Sequence, residues 1–293
     1  MFSIIVPSYN RKAEIPGLLE SLEAQTVKNF EVVIVDDCSQ EPVNIEGDFS
    51  FPVKLLRNQT NQGAAESRNI GAAAAQGEWL LFLDDDDRFT DNKCEVLDDI
   101  ISDHQEINFI YHPAKCKMVN EGFEYVTKPL TPEHLTLENI LLANKIGGMP
   151  MIAIKKSFFL ELGGLSTELK SLEDYDFVLN LVSNPHLRAT YVAQPLSLCA
   201  FHTKRASVST NTTNTEKALA IIEQKYVRTA EQKHRFALNS LAILAYPHAM
   251  NLSRKAGCYY FKMFKQSRNL KHLAISLVSW LSPKLAINLK RYF

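Results

Sequence analysis

Three features of secreted or membrane-spanning proteins are missing from the 293-residue sequence. It has no stretch of about 20 uncharged apolar residues, so we expect no membrane-spanning helix. The N-terminus, MFSIIVP, has no basic segment before its short apolar run, and we expect no signal peptide. The 5 cysteines are scattered without a Cys-x-x-Cys pair, which is typical of free thiols in a reducing cytoplasm and argues against structural zinc.

The composition is that of an ordinary globular protein, but its charge is unevenly distributed. Hydrophobic residues make up 46% and charged residues 22%, which excludes a disordered chain. The net charge of −1 divides into +12 over residues 217–293 and −13 over the rest. The acidic part suits a cation and the basic part an anionic partner. We expect membrane lipid and no nucleic acid, since no RNA-binding motif accompanies the basic residues.

Buried strands and amphipathic helices alternate along the first 90 or so residues. Helices are predicted at 13–26 and 64–76, and strands at 2–6, 30–35, 53–56 and 79–83. This order predicts an α/β fold with a mostly parallel, doubly wound sheet. Because ligands bind beyond the carboxyl ends of such strands, we expect the segments 7–10, 36–37 and 84–87 to meet in space.

The rest of the sequence has a less regular pattern. It predicts helices at 92–103, 133–143 and 156–162 and from near Glu173, and strands at 107–112, 115–126, 151–154, 188–193 and 196–202. From about residue 215 the pattern is helical throughout. The polar stretch Ser207–Thr215 is predicted to link this helical region to the preceding domain.

Four consecutive aspartates, Asp84–Asp87, directly follow the buried run LLFL. Adjacent carboxylates repel one another unless a cation neutralises them, and Mg²⁺ and Mn²⁺ prefer oxygen ligands. If the strand continued through this run, Asp84 and Asp86 would point to one side of it, and Asp85 and Asp87 to the other. A solvated acidic turn is the alternative interpretation.

Five segments, in order, resemble the signature of family-2 glycosyltransferases with the GT-A fold. They are SIIVPSYNR, VVIVDDCS, NQGAAESRNIG, FLDDDD, and GGLSTEL followed by LEDYDF, and together they span roughly residues 2–203. The resemblance implies a GT-A catalytic domain at 1–210, with a nucleotide-binding half at 1–112 and an acceptor half at 113–210. The basic helical region at 215–293 would be a C-terminal appendage, with possible contact to a membrane surface.

The resemblance also implies the donor site. Pro7, Tyr9 and Arg11 would line the nucleotide pocket, and Asp37 would accept a hydrogen bond from the base. Helix capping or turn formation is the alternative for Asp36 and Asp37. Further donor contacts would come from Arg68, Asp84, Asp85 and His202.

Some of these donor roles have alternatives in the sequence itself. Arg68 would pair with donor phosphate or with the aspartates, but it suits a purely structural bridge equally. The family's Tyr-Arg-x-His-x-x-Ser segment is altered here to Ala200-Phe201 before His202, so Arg205 would have to substitute. A lone histidine such as His202 is often structural.

Metal binding and catalysis are implied in the same way. Asp86 would be the main ligand of Mn²⁺ or Mg²⁺, with Asp84 as its partner. Asp174 would be the general base of an inverting transfer and Glu173 would orient the acceptor. Both acids would also suit an ordinary helix N-terminus. Gly148 and Met149 would form the floor of the sugar pocket.

These expectations combine into one functional hypothesis. The chain would transfer a hexose, with UDP-glucose as the preferred donor, to a lipid-diphosphate-linked saccharide at the cytoplasmic face of a bacterial inner membrane. The small O-antigen β-1,3-glucosyltransferases are the most similar group, and UDP-galactose and UDP-GlcNAc are alternative donors.

Two other functions compete with it, and the position of the C-terminal region is also open. A sugar nucleotidyltransferase would need a glycine-rich loop after the first strand, where this chain has no glycine before Gly17. An inactive sugar-nucleotide-binding module is disfavoured by the intact acids. The basic C-terminal region would either lie in a membrane interface or pack on the preceding domain.

Overall fold

The computed structural model describes residues 1–204 and 212–292. Arg205 and residues 207–211 of the predicted linker lie outside the described part, while the last four linker residues belong to a helix that begins at Thr212. The strands are β1 Phe2–Ser8, β2 Phe30–Asp36, β3 Val53–Arg57, β4 Trp79–Phe82, β5 Arg88–Phe89, β6 Phe109–Tyr111, β7 Ala114–Met118, β8 Phe123–Val126, β9 Ile152–Lys155, β10 Ala189–Tyr191 and β11 Ser197–Phe201.

The helices follow the same alternation up to residue 183 and then fill the C-terminal region. They are α1 Ile15–Glu23, α2 Ala64–Ala74, α3 Lys93–Asp103, α4 Leu137–Leu142, α5 Lys156–Glu161, α6 Glu173–Ser183, α7 Thr212–Tyr226, α8 Ala230–Met250, α9 Lys255–Ser267, α10 Leu270–Leu281 and α11 Pro283–Asn288.

A seven-stranded sheet in the order β10-β6-β9-β4-β1-β2-β3 forms the centre of the molecule. Strands β4, β1, β2 and β3 run parallel, and β9 is antiparallel to both of its neighbours. Helices cover both faces of this sheet, so its inner strands are continuous apolar runs, as in buried parallel sheets. The predicted α/β fold with a mostly parallel sheet is confirmed.

Alternate residues of β1 pack into two hydrophobic cores, one on each face of the sheet. Ile4 and Val6 pack with α1 on one face, and Ile5 packs with α2 on the other. Helix α2 approaches β1 closely because residue 71 is glycine: a Cβ there would lie 2.5 Å from Cγ2 of Ile5. This close packing fixes the start of α2 beside the carboxyl end of β1.

A second sheet, in the order β5-β11-β7-β8, lies beyond the aspartate run. The predicted single strand at 115–126 was wrong, because the chain reverses between β7 and β8 and Gly122 adopts a φ of 70°. Residues 119–122 form the turn of this hairpin and belong to neither strand. β11 pairs with β5, and this places the segment before His202 next to the aspartates.

The C-terminal helices pack on the preceding domain. Helix α8 begins with a capping box formed by Thr229 and Gln232, and Gln232 also donates to Glu138 of α4 at 3.1 Å. Helices α9, α10 and α11 then pack on α8 and on one another. In the parts of the chain given above, each helix is either too short or too polar to cross a bilayer.

Candidate active site

The carboxyl ends of β1, β2 and β4 meet at one edge of the large sheet. Ser8 lies opposite Asp36 in the β1–β2 pair, and Ile5 lies opposite Phe82 in the β1–β4 pair. The segments predicted to converge therefore do so. At this edge Pro7 is buried and Tyr9 is 47% exposed, so the tyrosine ring is available to a ligand.

Asp85 is the buried member of the aspartate run. Its carboxylate accepts hydrogen bonds from Ser8 Oγ at 3.0 Å and from Arg11 Nη1 at 2.8 Å. The same Arg11 nitrogen lies 2.6 Å from Asp86 Oδ2. Arg11 thus neutralises two neighbouring aspartates and ties the loop after β1 to the loop after β4.

The pairing expected from strand alternation was wrong, because the run is a turn and not a strand. The Asp87 amide donates to the Asp84 carbonyl at 3.0 Å, which closes the turn. Asp87 then faces β11, where the Ala200 amide donates to its carboxylate at 3.2 Å. Asp85 and Asp86 share Arg11, whereas Asp84 pairs with Arg68.

Asp37 anchors the loop that leads into α2. Its Oδ1 accepts from Asn58 Nδ2 and from the Gln62 amide, both at 2.8 Å, and its Oδ2 accepts from the Gly63 amide at 2.7 Å. A carboxylate can accept about four hydrogen bonds, so one position on Oδ2 is left for a ligand. The neighbouring Asp36 is buried, and it bonds the Ser39 amide at 2.9 Å.

Arg68 of α2 joins the aspartate run to the start of α6. Its Nη2 lies 2.6 Å from Asp84 Oδ1 and its Nη1 lies 3.2 Å from Glu173 Oε1. Burial alone would lower the pKa of Arg68, but the carboxylates of Asp84 and Glu173 outweigh burial and raise that pKa. The guanidinium is therefore a permanent positive charge between the two acidic segments.

Asp174 lies beside Glu173 in the first turn of α6. The preceding residue, Leu172, has a left-handed φ of 64°, and this turns the chain sharply into the helix. Asp174 Oδ1 accepts from the Tyr175 amide at 2.7 Å. A Cβ placed on Gly148 would lie 3.8 Å from Asp174 Oδ2, so the backbone of the predicted sugar-pocket floor lies next to this acid.

Three acids of the site have a raised pKa. Burial, reinforced by the charge of Glu173, raises the pKa of Asp174 to about 6. Burial raises the pKa of Asp85 to about 6 despite the opposing charge of Arg11, and burial with the charge of Asp84 raises that of Asp87 to about 7. Desolvated carboxylates of this kind are poised to accept protons or cations near neutral pH.

Asp84 and Asp86 suit a divalent cation better than the other two aspartates. Their side chains are 36% and 28% exposed, whereas the Asp85 side chain is 6% exposed. In residues 1–204 and 212–292, no group of three or more His, Cys, Asp and Glu side chains is arranged as a metal site. A Mg²⁺ or Mn²⁺ ion here would have two protein carboxylates, with its remaining oxygen ligands from phosphate and water.

For His202 and Met149, only the neighbours in sequence contact the site. His202 is partly buried and follows β11, two residues beyond the Ala200 amide that bonds Asp87. Met149 is buried in the short 3₁₀ turn Met149–Met151. The contacts above thus bring together Arg11, Asp37, Arg68, Asp84–Asp87 and Glu173 at one edge of the sheet, and Arg205 lies outside the described residues.

Several supporting residues were missed by the sequence analysis. The fully buried Lys93 donates from Nζ to the Pro150 carbonyl at 2.8 Å and to Ser197 Oγ at 3.2 Å, which holds the 3₁₀ turn against β11. Asp176 binds Lys225 of α7 at 3.0 Å. Asp176 is the third acid of the segment EDYD, so the sequence could have identified it as a candidate. Nothing in the helical pattern around Lys93 indicates that this lysine is buried.

Comparisons with known proteins agree with this geometry. Residues 3–163 match the family model of glycosyl transferase family 2. An uncharacterized glycosyltransferase of Haemophilus influenzae is 62% identical over 291 residues, which covers 99% of each chain. A PGL/p-HBAD biosynthesis glycosyltransferase of Mycobacterium bovis is 29% identical over 66% of this chain and 73% of its own.

Two solved structures have a similar fold. TarS of S. aureus, in complex with UDP-GlcNAc, superposes with a TM-score of 0.60 at 23% identity, over 95% of this chain and 81% of that one. The mannosyltransferase PcManGT of Pyrobaculum calidifontis, in complex with GDP-Man and Mn²⁺, gives 0.57 at 15% identity, over 100% and 87%. With its GT-A architecture and the family match over more than half of its length, the chain belongs to glycosyl transferase family 2.

Proposed function

We propose that this glycosyltransferase transfers a hexose from a UDP-sugar to a saccharide on a lipid diphosphate, with inversion at the anomeric carbon. UDP-glucose is the preferred donor and a β-linkage the expected product, as in O-antigen assembly. The observation that carries the proposal is the ion bridge from Asp84 through Arg68 to Glu173, next to Asp174. It brings the donor side and the acid of α6 into one site.

Asp174 acts as the general base. It takes the proton from the acceptor hydroxyl while that oxygen attacks the anomeric carbon, and the bond from that carbon to the diphosphate breaks. Its raised pKa, about 6, makes it a stronger base than an ordinary aspartate while leaving it largely ionised at neutral pH. Glu173, held by Arg68 at 3.2 Å, orients the acceptor side of the site.

The donor occupies the edge of the sheet between Tyr9 and Asp37. Arg68 Nε is buried and, within the described part of the chain, has no hydrogen-bond partner, so one N–H remains for a donor phosphate. Asp84 and Asp86 would hold Mn²⁺ or Mg²⁺, which when bound would offset negative charge on the departing nucleoside diphosphate. The Mn²⁺ complex of PcManGT supports a metal in this fold.

A peripheral contact with an anionic membrane fits the C-terminal helices. No acidic residue follows Glu231, whereas 11 Lys and Arg do. Leu270, Leu277 and Leu281 are 72%, 49% and 79% exposed along one side of α10. Apolar side chains flanked by basic residues are typical of helices that lie in a membrane interface, at its cytoplasmic face here.

A donor panel tests the proposed reaction. The protein is incubated with Mn²⁺ and UDP-glucose, UDP-galactose, UDP-GlcNAc or GDP-mannose, with a GlcNAc-diphosphate-lipid analogue as acceptor. We expect release of UDP with UDP-glucose as the best donor. Release of nucleoside diphosphate from none of them would contradict the proposal. Formation of pyrophosphate from UTP and a sugar phosphate would indicate a nucleotidyltransferase instead.

Substitution of Asp174 tests its role as the general base. Asp174→Asn should lower kcat by about 10²–10⁴-fold, the usual range for a general base, while UDP binding stays within a factor of about two. Asp99→Asn, which alters an exposed acid of α3, is the matched control and should retain full activity. Loss of UDP binding in the Asp174 variant would place this acid on the donor and not on the acceptor.

A further inference from the structure

Gly148 differs from the other glycines of the chain, because the fold does not require it. The sequence has 11 glycines, and all of them lie in the described residues. Six of the others have a left-handed φ between 70° and 113°, which residues with a side chain rarely adopt. The remaining four are closely packed, since a Cβ on any of them would lie 3.3 Å or less from a neighbouring atom. These four are Gly17, Gly71, Gly77 and Gly257.

Neither constraint applies to Gly148. Its φ of −86° and ψ of 175° are extended values that any residue adopts. A Cβ there would meet Asp174 Oδ2 and Pro150 Cδ, each at an ordinary contact distance of 3.8 Å. Alanine also restricts the unfolded chain more than glycine does, so alanine at this position should stabilise the protein. Something other than the fold therefore accounts for this glycine.

The backbone on both sides of Gly148 is held in place by hydrogen bonds. Asn144 Oδ1 accepts from the Gly147 amide at 3.2 Å, and Asn144 Nδ2 donates to the Gly147 carbonyl at 3.1 Å. On the other side, the Met151 amide donates to the Gly148 carbonyl at 3.0 Å. A side chain added at residue 148 would therefore stay next to Asp174.

The position of this Cβ is next to the Asp174 oxygen that is left for a substrate. Within residues 1–204 and 212–292, the carboxylate accepts one hydrogen bond, from the Tyr175 amide, and Oδ1 accepts it. Oδ2 would then receive the proton of the acceptor. Gly148 and Asp174 are both partly exposed, so a ligand can approach them from outside.

An acceptor sugar would need the space that a side chain at residue 148 would take. A hydroxyl that gives its proton to Oδ2 lies about 2.6–3.2 Å from that oxygen, and the carbon that carries the hydroxyl lies about 3.5 Å from it. A methyl group on residue 148 would lie 3.8 Å from the same oxygen. Two carbon atoms approach each other to about 3.5 Å at best, so the methyl group and the sugar ring would compete for one region.

We propose that Gly148 is a specificity-determining residue of the acceptor site, whose missing side chain admits a secondary ring hydroxyl of a sugar to Asp174 Oδ2. This inference rests on the proposed transfer and deepens it. The carbon that carries a secondary hydroxyl has two carbon neighbours in the ring, whereas methanol has a single carbon and water has none. The ring is therefore the acceptor that requires a glycine here.

Binding and kinetics of Gly148→Ala test the proposal. Calorimetry in Mn²⁺ and UDP should show that the GlcNAc-diphosphate-lipid analogue binds the variant at least about tenfold more weakly, a usual cost of one misfitting carbon. The value of kcat/KM for this analogue should fall by at least the same factor. Binding of UDP, hydrolysis of UDP-glucose and transfer from UDP-glucose to methanol should stay within a factor of about two, because none of them places a ring at Asp174.

Ser102→Thr is the matched control, since it adds one methyl group at an exposed position of α3, and it should equal the wild type in each measurement. The melting temperature of Gly148→Ala should be no lower than that of the wild type. A lower melting temperature would show that the fold needs the glycine and would overturn the proposal. Unaltered binding of the analogue, or a parallel loss of UDP binding and hydrolysis, would overturn it as well.

These measurements separate this proposal from the proposed transfer. Absence of UDP release by the wild-type protein would contradict the transfer, whereas weaker binding of the analogue to Gly148→Ala would still place that analogue beside Gly148. Transfer by the wild-type protein with equal transfer by Gly148→Ala would support the transfer and overturn the role of Gly148. Gly148→Val, with a larger side chain, should bind the analogue more weakly than Gly148→Ala, and equal binding by the two variants would contradict a limit set by size.

Discussion

Arg68 lies between the acidic residues of the site and pairs with one on each side, Asp84 and Glu173. Without its guanidinium, Asp84 and Glu173 would be two unpaired carboxylates next to Asp174. The sequence placed Arg68 one turn inside a helix and left open whether it pairs with phosphate or with acids. The structure shows the acid pairing, and the unpartnered Nε leaves room for the phosphate contact as well.

Replacement of Arg68 should destabilise the protein. Arg68→Met leaves the two partly buried acids without a counter-charge, and we expect the free energy of unfolding to fall by on the order of 3 kcal/mol. Urea unfolding in EDTA measures this. Arg235→Met, which removes the partner of the exposed Glu231 on α8, should cost about 1 kcal/mol or less. Similar losses in both variants would show that the Arg68 bridge contributes little.

The pH dependence of transfer should reveal the ionisation of Asp174. The base works only when ionised, so kcat/KM should fall as the pH drops below about 6, the raised pKa of Asp174. Because the charge of Glu173 helps to raise that pKa, Glu173→Gln should move the acidic limb of the profile to lower pH. The Asp99→Asn profile should match the wild type. An acidic limb that stays in place in Glu173→Gln would argue against Asp174 as the titrating group.

At the scale of elements, Lys93 holds three segments in place with one ammonium group. It extends from α3 to the Pro150 carbonyl and to Ser197 at the start of β11, and its Nζ lies 3.7 Å from the centroid of the Phe89 ring. Burial lowers its pKa from 10.5 to about 7. The turn beside Gly148 thus depends on a buried amine with no carboxylate in contact with it among the described residues.

This buried lysine should make stability depend on pH. Between about pH 7 and pH 10.5 the folded protein binds fewer protons at Lys93 than the unfolded chain does, so its contribution to stability should rise with pH through that window. Urea unfolding across the window measures the slope, which Lys93→Met should reduce. Lys156→Met, which removes a lysine bonded to the Ala75 carbonyl at 2.6 Å nearer the surface, should leave the slope in place. A slope equally steep in Lys93→Met would contradict this origin.

The sequence predicted the elements better than the contacts between them. Apolar runs identified β1, β2 and β4, because a strand buried on both faces is apolar at most of its positions. The turn at Asp84–Asp87 was only the alternative interpretation in the sequence, since no glycine or proline marks it. The ties of α6 to the C-terminal helices, Asp176 to Lys225 and Tyr175 to Asn239 at 2.9 Å, join residues far apart in sequence that no local pattern connects.

At the scale of the whole molecule, the uneven charge follows the architecture. The two sheets and the site edge belong to the acidic part of the chain, before residue 217, and at this edge Arg11 and Arg68 pair with the aspartates. Helices α7 and α8 contact α6 through Lys225 and Asn239, and α9–α11 line a cavity of about 660 Å³ next to β8. The net charge of +12 over residues 217–293 thus belongs to the same region of the chain as the exposed leucines of α10, Leu270, Leu277 and Leu281.

This arrangement predicts binding to anionic vesicles through α10. The wild-type protein should co-sediment with phosphatidylglycerol-containing vesicles more than with neutral ones, because each Lys or Arg near the surface contributes about 1 kcal/mol, and added salt should weaken the binding. Leu277→Glu with Leu281→Glu should lower the partition coefficient by about tenfold or more, since two exposed apolar side chains are lost from the interface. Leu160→Glu, at a residue of α5 that is 52% exposed, is the control and should bind like the wild type. Equal binding to neutral vesicles, or an unaltered partition coefficient in the double variant, would show that the basic helices serve only to support the catalytic domain.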